Sequence, residues 1–280
     1  MSSLSNPSMS PLPAVRPAGP QQWQRFTLAQ RLLRFAVWFL LVLAVVHSVR
    51  SVEVIPEFLL DAPQQMGDLL QRMWPPDWSS YRISVHAALM ETLHIATLGT
   101  VFALVIAIPL GVLVSNAVTP NRGINFLARL VLITSRSVNS LVWALLFVAI
   151  FGPGALAGTF AIACRSIGFV GKLLGEALDG TARGPIEALH AAGAPKISVI
   201  RYGYWPAIRP AFWSIALLRW DINVRESAVL GLVGGGGIGL VMDAARDTFQ
   251  WQQVAMVLVS ILTVVVLCEL VVTRVRKKVL

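Results

Sequence analysis

Charged side chains are scarce in this 280-residue chain, and their scarcity excludes an ordinary soluble domain. They make up 13% of the residues, and the mean hydropathy is +0.69, whereas a soluble protein has about 25% charged residues. Three runs that lack Asp, Glu, Lys and Arg each exceed the roughly 20 residues needed to cross a bilayer: Thr92–Asn121, Ser137–Cys164 and Thr248–Cys268. The sequence therefore predicts an all-α, polytopic membrane protein.

Cysteines and catalytic motifs are also scarce. Cys164 and Cys268 both lie in apolar runs without metal-ligand spacing, so we interpret them as packing residues. The four histidines are scattered and form no H-E-x-x-H arrangement. The chain has no G-x-x-x-x-G-K-[ST] phosphate loop. We expect this chain to have no catalytic site and to bind no metal or cofactor itself.

Six apolar segments predict six membrane-spanning helices. Their approximate bounds are 33–49, 91–117, 126–151, 155–178, 208–232 and 249–271. The first segment follows a long polar stretch and lacks a small-x-small cleavage site, so we interpret it as a retained helix rather than a signal peptide.

The distribution of charge predicts the orientation of these helices. Lys and Arg occur in both terminal segments, in the segment between the second and third spans, and in the segment between the fourth and fifth spans. The 51–80 segment instead carries five acidic residues and one basic residue, Arg72. Because basic residues favour the cytoplasmic side, we expect both termini to be cytoplasmic. The net charge of +9 is then a topology signal, and we expect no nucleic-acid partner.

The same patterns predict the order of segments along the chain. They are a disordered cytoplasmic tail (1–30), the first transmembrane helix (31–50), an extracytoplasmic or interfacial loop (51–88), a membrane core (89–273) with a cytoplasmic loop at 180–206, and a basic cytoplasmic tail (274–280). The 51–88 loop contains Trp74 and Trp78 beside prolines, which is typical of the headgroup region.

A short polar helix is predicted within the 180–206 loop. Pro185 suits a first helical turn and Glu187 follows it, where a carboxylate favours the helix dipole. Gly193 is placed to end the helix, and Pro195 prevents its continuation. Such a segment belongs in water rather than lipid, and its small residues allow a partner protein to approach closely.

The polar helix resembles the EAA loop in the permease subunits of binding-protein-dependent ABC importers. The residues that match the loop's pattern are Glu187, Ala188, Gly193 and Pro206. Leu189, Gly203 and Trp205 depart from the residues usual in that family. The resemblance implies a coupling helix that docks on the ATPase subunit, with His190 as a contact residue.

Four further segments are similar to the phosphonate importer permeases: 91–96, 135–148, 165–173 and 224–239. The resemblance implies a six-helix, type I (MetI-like) permease in the bacterial cytoplasmic membrane that translocates phosphonates by alternating access. It also implies a second copy of the chain, two cytoplasmic ABC ATPase subunits that bind ATP and Mg, and an extracytoplasmic phosphonate-binding protein.

Other functions remain open at this point. Phosphite, hypophosphite or another small oxyanion is an alternative substrate for the same kind of permease. An autonomous secondary transporter is an alternative from a different class, although it leaves the EAA-like loop unexplained. An intramembrane enzyme would need a nucleophile and a base at matching depth, and the sequence nominates no such pair.

A glycine-rich stretch lies between the fifth and sixth predicted spans. Gly234, Gly236 and Gly239 satisfy G-x-G-x-x-G, but that pattern indicates a dinucleotide site only after a strand in a βαβ unit. We interpret it as a close-packed turn. It serves either as part of an external gate or only as a helix-packing turn.

Ionisable residues inside predicted spans are costly unless they face a cavity or a partner. We assign the following residues to a candidate translocation pathway for an anionic solute: Arg136, Asn139, Arg165, Arg219 and Asp221. Guanidinium groups suit the oxygens of a phosphonate. In the alternative interpretation the arginines pair with Asp221 or Glu226 and do not contact substrate. Arg225 is expected to pair with Asp221, four residues earlier.

Overall fold

The computed structural model describes residues 28–52, 56–119 and 121–279, and every regular element in those ranges is a helix. The all-α prediction is therefore confirmed. The helices are α1 (Leu28–Ser51), α2 (Pro56–Met73), α3 (Trp78–Ser80), α4 (His86–Val114), α5 (Arg122–Ser137), α6 (Ser140–Phe151), α7 (Ala155–Asp179), α8 (Arg183–Ala191), α9 (Lys196–Ser198), α10 (Trp205–Leu230), α11 (Ile238–Asp247) and α12 (Trp251–Val279). Two π-helical turns and one 3-10 turn continue these helices: Tyr81–Val85, Val199–Tyr204 and Gly231–Val233.

The chain divides into two compact units, residues up to Pro63 and residues from Gln64 onward. The first unit contains α1, which has no buried side chain, as expected of a helix that faces lipid. The second unit contains all the residues of the candidate site. Residues 1–27 of the predicted tail lie outside the described residues, and residues 28–30 already belong to α1.

Four helical segments are long and apolar enough to cross a membrane: Leu28–Ser51, Trp78–Val114, Ala155–Asp179 and Trp251–Lys278. Two bent helix pairs give up to two more spans, α5 with α6 and Lys196–Val233 with α11. The described residues thus contain four to six candidate spans, and the prediction of six corresponds to counting each bent pair as one.

The predicted third span, 126–151, is wrong as a single continuous helix. α5 ends at Ser137, α6 begins at Ser140, and the two helices meet at 91°. Asn139 is extended, and its Oδ1 accepts a hydrogen bond from the Leu141 amide at 3.2 Å, which caps the new helix. An Asn side chain competes with helical hydrogen bonding in this way. Asn139 therefore ends the first helix and caps the start of the second.

Most of the described part of the 51–88 segment is helical, where a loop was predicted. It contains α2, which places apolar residues at helical spacing, and the start of the long helix that begins at Trp78. Asp77 precedes that helix and accepts hydrogen bonds from the hydroxyl and amide of Ser79, at 2.6 and 3.0 Å. The hydrogen bond from the Ser79 hydroxyl is the main reason why the pKa of the Asp77 carboxyl is lowered.

The last two spans also differ from the prediction. The helix α11 lies between the glycine-rich stretch and α12, where only a turn was expected. The basic segment 274–280 continues α12 as far as Val279, because its Lys and Arg residues are good helix formers.

α7 is the central helix of the second unit and contacts α4, α5, α6 and α10. Small residues on α7 permit this close packing, as is common between membrane helices. A Cβ added at Gly168 would lie 2.5 Å from the Leu132 carbonyl oxygen of α5, and one at Gly171 would lie 2.6 Å from the Leu132 side chain. The mid-helix polar residues of α7 are consequently held close to those of its neighbours.

Candidate functional site

The three arginines assigned to the pathway line one cavity of about 530 Å³, which we call the arginine cavity. Its lining residues are Arg136, Ser137, Arg165, Phe169, Arg219, Ile222 and Glu226. They come from the end of α5, the middle of α7 and the middle of α10. Three arginines and one glutamate give the cavity a formal charge of 3 − 1 = +2, so its electrostatics favour an anion.

Glu226 is shared by two of these arginines. Its Oε1 lies 3.5 Å from Arg165 Nε, and its Oε2 lies 3.3 Å from Arg219 Nη2. The Arg219 side chain is 3% exposed and that of Arg165 is 32% exposed. Arg136 is exposed and has no ion-pair partner among the described residues. The cavity therefore contains two arginines with a carboxylate partner and one without.

A buried polar chain holds Arg219 in place. Its Nε donates to Ser166 Oγ at 2.8 Å, Ser166 Oγ donates to Asn223 Oδ1 at 3.1 Å, and Asn223 Nδ2 donates to Thr100 Oγ1 at 2.8 Å. Ser166 and Asn223 are fully buried. Sequence reasoning did not identify this chain, although an Asn within an apolar span was a usable signal.

Asn139 touches the site through Arg165. Besides capping α6, its Oδ1 accepts a hydrogen bond from Arg165 Nη1 at 3.2 Å. Asn139 therefore positions one of the cavity arginines, although it does not itself line the cavity.

Asp221 does not line the arginine cavity, and its assignment to the pathway stays a prediction. It is buried and pairs with Arg225, as the i,i+4 spacing predicted. Arg219 and Glu226 are seven residues apart and share one face of α10, whereas Asp221 lies about 200° around the helix from Arg219. Arg225 likewise stays outside the cavity.

The predicted polar helix is α8, and its two faces differ. Ile186 is buried in a cluster with Leu178, Tyr204 and Ile208. Glu187 and Ala188 point away from Ile186 and are exposed, and His190, one turn after Ile186, is also exposed. The inner face thus ties α8 to the end of α7 and the start of α10, and we call the three exposed side chains the outer face.

The end of α8 matches the predicted glycine stop. Gly193 has φ +72°, and the amides of Gly193 and Ala194 donate to the carbonyl oxygens of His190 and Leu189 at 3.0 and 3.1 Å. This geometry is the common glycine-dependent helix end. Pro206 is exposed in the first turn of α10.

Leu189 and Gly203, two of the departures from the family pattern, face each other. A Cβ added at Gly203 would lie 3.2 Å from Leu189 Cδ1 and 3.5 Å from Ile186 Cγ1. The absence of a side chain at Gly203 leaves space for Leu189, so the two departures fit together.

The glycine-rich stretch forms a tight turn. Gly234, Gly236 and Gly237 have φ of +86°, +79° and +73°, which favours glycine. Gly239 lies inside α11, where an added Cβ would be 2.8 Å from Gly231 Cα. The Ile238 amide donates to Thr92 Oγ1 of α4 at 2.8 Å. The turn is therefore packed against α4, and its role as a gate stays a prediction.

Comparison with known proteins gives one family and several relatives. Residues 107–279 match the family described as the binding-protein-dependent transport system inner membrane component. The chain is 35% identical over 211 residues to the phosphite transport system permease protein PtxC of Stutzerimonas stutzeri, covering 75% of this chain and 76% of that protein. It is 34% identical over 235 residues to the phosphate-import permease protein PhnE of Mycolicibacterium smegmatis, covering 84% of this chain and 44% of that protein.

Among solved structures, an inward-facing crystal form of the MetNI methionine ABC transporter matches with a TM-score of 0.61. The match has 23% sequence identity and covers 70% of this chain and 96% of the matched chain. This similarity supports the predicted fold.

Proposed function

The chain belongs to the family of binding-protein-dependent transport system inner membrane components, and on that premise we propose that it carries phosphonates or a related small oxyanion across the cytoplasmic membrane. It is the membrane-spanning subunit of an ABC importer. Phosphite is the first alternative substrate, because the relative PtxC is named for phosphite transport.

The observation that carries this proposal is the convergence of Arg136, Arg165 and Arg219 on one cavity. Guanidinium groups form charge-assisted and often bidentate hydrogen bonds to tetrahedral oxyanions. A cavity between helices that combines such donors with Phe169 and Ile222 suits a small anion with an apolar substituent.

The arginine cavity also suits an anion that must be released. Glu226 already neutralises part of the charge on Arg165 and Arg219, so an entering oxyanion competes with a carboxylate rather than meeting three free cations. Binding that is favourable but not too tight is what a transport pathway requires.

We assign the outer face of α8 to the docking of the ATPase. Its exposed Glu187, Ala188 and His190 would contact the ATPase, while the buried Ile186 would pass the movement to α7 and α10. Two copies of this chain would present two such helices to two ATPase subunits, which bind the ATP and Mg. An extracytoplasmic binding protein would deliver the solute, and α8 and both termini would lie in the cytoplasm.

Uptake by a reconstituted complex tests the proposed substrate. The chain is purified with its ATPase and binding protein, placed in liposomes containing ATP, and supplied with methylphosphonate, phosphite, phosphate or methionine. We expect ATP-dependent uptake of methylphosphonate or phosphite and no uptake of methionine. Uptake of methionine alone would contradict the proposal.

Co-purification separates the importer from an autonomous transporter. We expect stable recovery with an ATPase subunit and uptake that stops without ATP. Transport driven by an ion gradient, from a chain recovered without any ATPase, would instead favour the secondary transporter.

A further inference from the structure

Arg136 lines a second cavity as well as the arginine cavity. This second cavity, of about 220 Å³, carries five ionisable residues: Arg129, Arg136, Lys172, Glu176 and Asp179. We call it the relay cavity. Because Arg136 belongs to both linings, the two cavities adjoin at this residue.

Helix geometry explains why these charges form a continuous row. Arg129 and Arg136 are seven residues apart on α5, and Arg165, Lys172 and Asp179 are spaced by seven on α7. Seven residues are close to two turns, so each set lies on one helix face and advances about 10 Å per step. Since α5 packs against α7, the two rows line one polar seam.

The seam continues toward α8. Asp179 also lines a third cavity, of about 450 Å³, together with Arg183, Glu187 and His190. Asp179 is fixed there, because its Oδ1 accepts hydrogen bonds from Ser115 Oγ at 2.6 Å and from the Ala117 amide at 3.1 Å. Three cavities that share lining residues therefore extend from the arginine cavity to the polar helix.

The formal charge falls at each step along these cavities. The arginine cavity has 3 − 1 = +2, and the relay cavity has three bases against two acids, 3 − 2 = +1. The third cavity has Arg183 against Asp179 and Glu187, 1 − 2 = −1, with His190 neutral. An anion is thus attracted most strongly in the arginine cavity and progressively less toward α8, which suits release through several weak sites.

We propose that the relay cavity is a second oxyanion site, in which Arg129 and Lys172 receive the anion from Arg136 on its way toward α8. This inference rests on the proposed function and adds two binding residues to the pathway. Neither residue lines the arginine cavity, and both line the relay cavity together with Arg136.

An ordinary surface ion pair is the competing explanation for Lys172. Its Nζ lies 3.4 Å from Glu176 Oε1, and the two side chains are 46% and 57% exposed. Such an i,i+4 pair contributes little to stability. If pairing were the only role of Lys172, removing either partner would have the same effect on transport.

The test compares Lys172→Gln, Lys172→Arg and Glu176→Gln in the reconstituted complex with its ATPase and binding protein. Uptake rates are measured with methylphosphonate and with phosphite, alongside ATP hydrolysis and the melting temperature. We expect Lys172→Gln to lower the uptake rate about five-fold, the size of one partly screened charge contact, with little change in melting temperature. Lys172→Arg should keep most of the uptake, and Glu176→Gln should raise it, because it removes a negative charge from the lining of the relay cavity. Arg129→Gln is expected to lower the uptake rate as Lys172→Gln does, again with little change in melting temperature.

Equal uptake by the wild type, Lys172→Gln and Arg129→Gln would overturn the relay site while leaving the proposed function intact. Equal losses in Lys172→Gln and Glu176→Gln would also overturn it, because they would identify the ion pair as the relevant feature. Failure of the wild-type complex to take up either compound would contradict the proposed function itself, and the relay site with it.

Discussion

At the residue scale, the pairing of one glutamate with two arginines lowers the free-energy cost of placing the arginine charges within membrane-spanning helices. Arg219 is nearly inaccessible and is held by Glu226 and Ser166. A buried ion pair adds little net stability when intact, but loss of one partner leaves an uncompensated charge. The polar chain through Ser166 and Asn223 therefore depends on the Glu226 carboxylate.

We predict that Glu226→Gln destabilises the purified protein, because the substitution keeps the shape of the side chain and removes only its charge. The expected loss is about 3 kcal/mol, as for other broken buried pairs. Glu176→Gln is the matched control, since its partner is exposed and its effect should stay within about 0.5 kcal/mol. Thermal unfolding in detergent measures both, and equal melting temperatures for the two variants would show that Glu226 has no special role.

At the element scale, α8 is the helix whose two faces connect the membrane core to the proposed ATPase partner. Its inner face packs through Ile186 against the ends of α7 and α10, so a movement that the ATPase imposed on α8 would be passed to both helices. The left-handed Gly193 sets the direction in which the chain leaves α8. Distortion of this helix end should affect coupling more than assembly.

We predict that Gly193→Val leaves membrane insertion intact and uncouples ATP hydrolysis from uptake. A β-branched residue at φ +72° is strained by roughly 1–2 kcal/mol, and it shifts the helix end. Ala192→Val is the matched control, because Ala192 is also exposed and has an ordinary φ of −78°. Normal uptake per ATP hydrolysed by the Gly193 variant would remove the docking role from α8.

At the scale of the whole molecule, much of the architecture follows from the sequence. Long uncharged runs predict membrane helices, and the glycine and prolines around α8 predict its bounds. The 91° break after Ser137 was not predicted, because Asn139 lies inside a run whose hydropathy is continuous. The cavity arginines could be nominated singly, but the pairing of Arg165 and Arg219 with Glu226 depends on the rotations of α7 and α10, which one sequence does not specify.

The predicted topology places residue 250 outside and residue 278 inside the cell. We expect an impermeant thiol reagent, applied to intact cells of a variant without Cys164 and Cys268, to label Gln250→Cys and not Lys278→Cys. Both positions lie at the ends of the helix α12, so one pair of variants fixes its direction. Labelling of Lys278→Cys alone would reverse the orientation and move α8 away from the cytoplasmic ATPase.

The central claim is that the arginine cavity carries the oxyanion, and Arg136 offers the most direct test because it has no carboxylate partner within the described chain. Uptake of methylphosphonate and phosphite by the reconstituted complex should be compared for the wild type, Arg136→Lys and Arg136→Glu. We predict that Arg136→Lys retains part of the uptake, while Arg136→Glu lowers it at least ten-fold, a change of about 1.4 kcal/mol, with the complex still assembled. Unchanged uptake by an assembled Arg136→Glu complex would contradict the account.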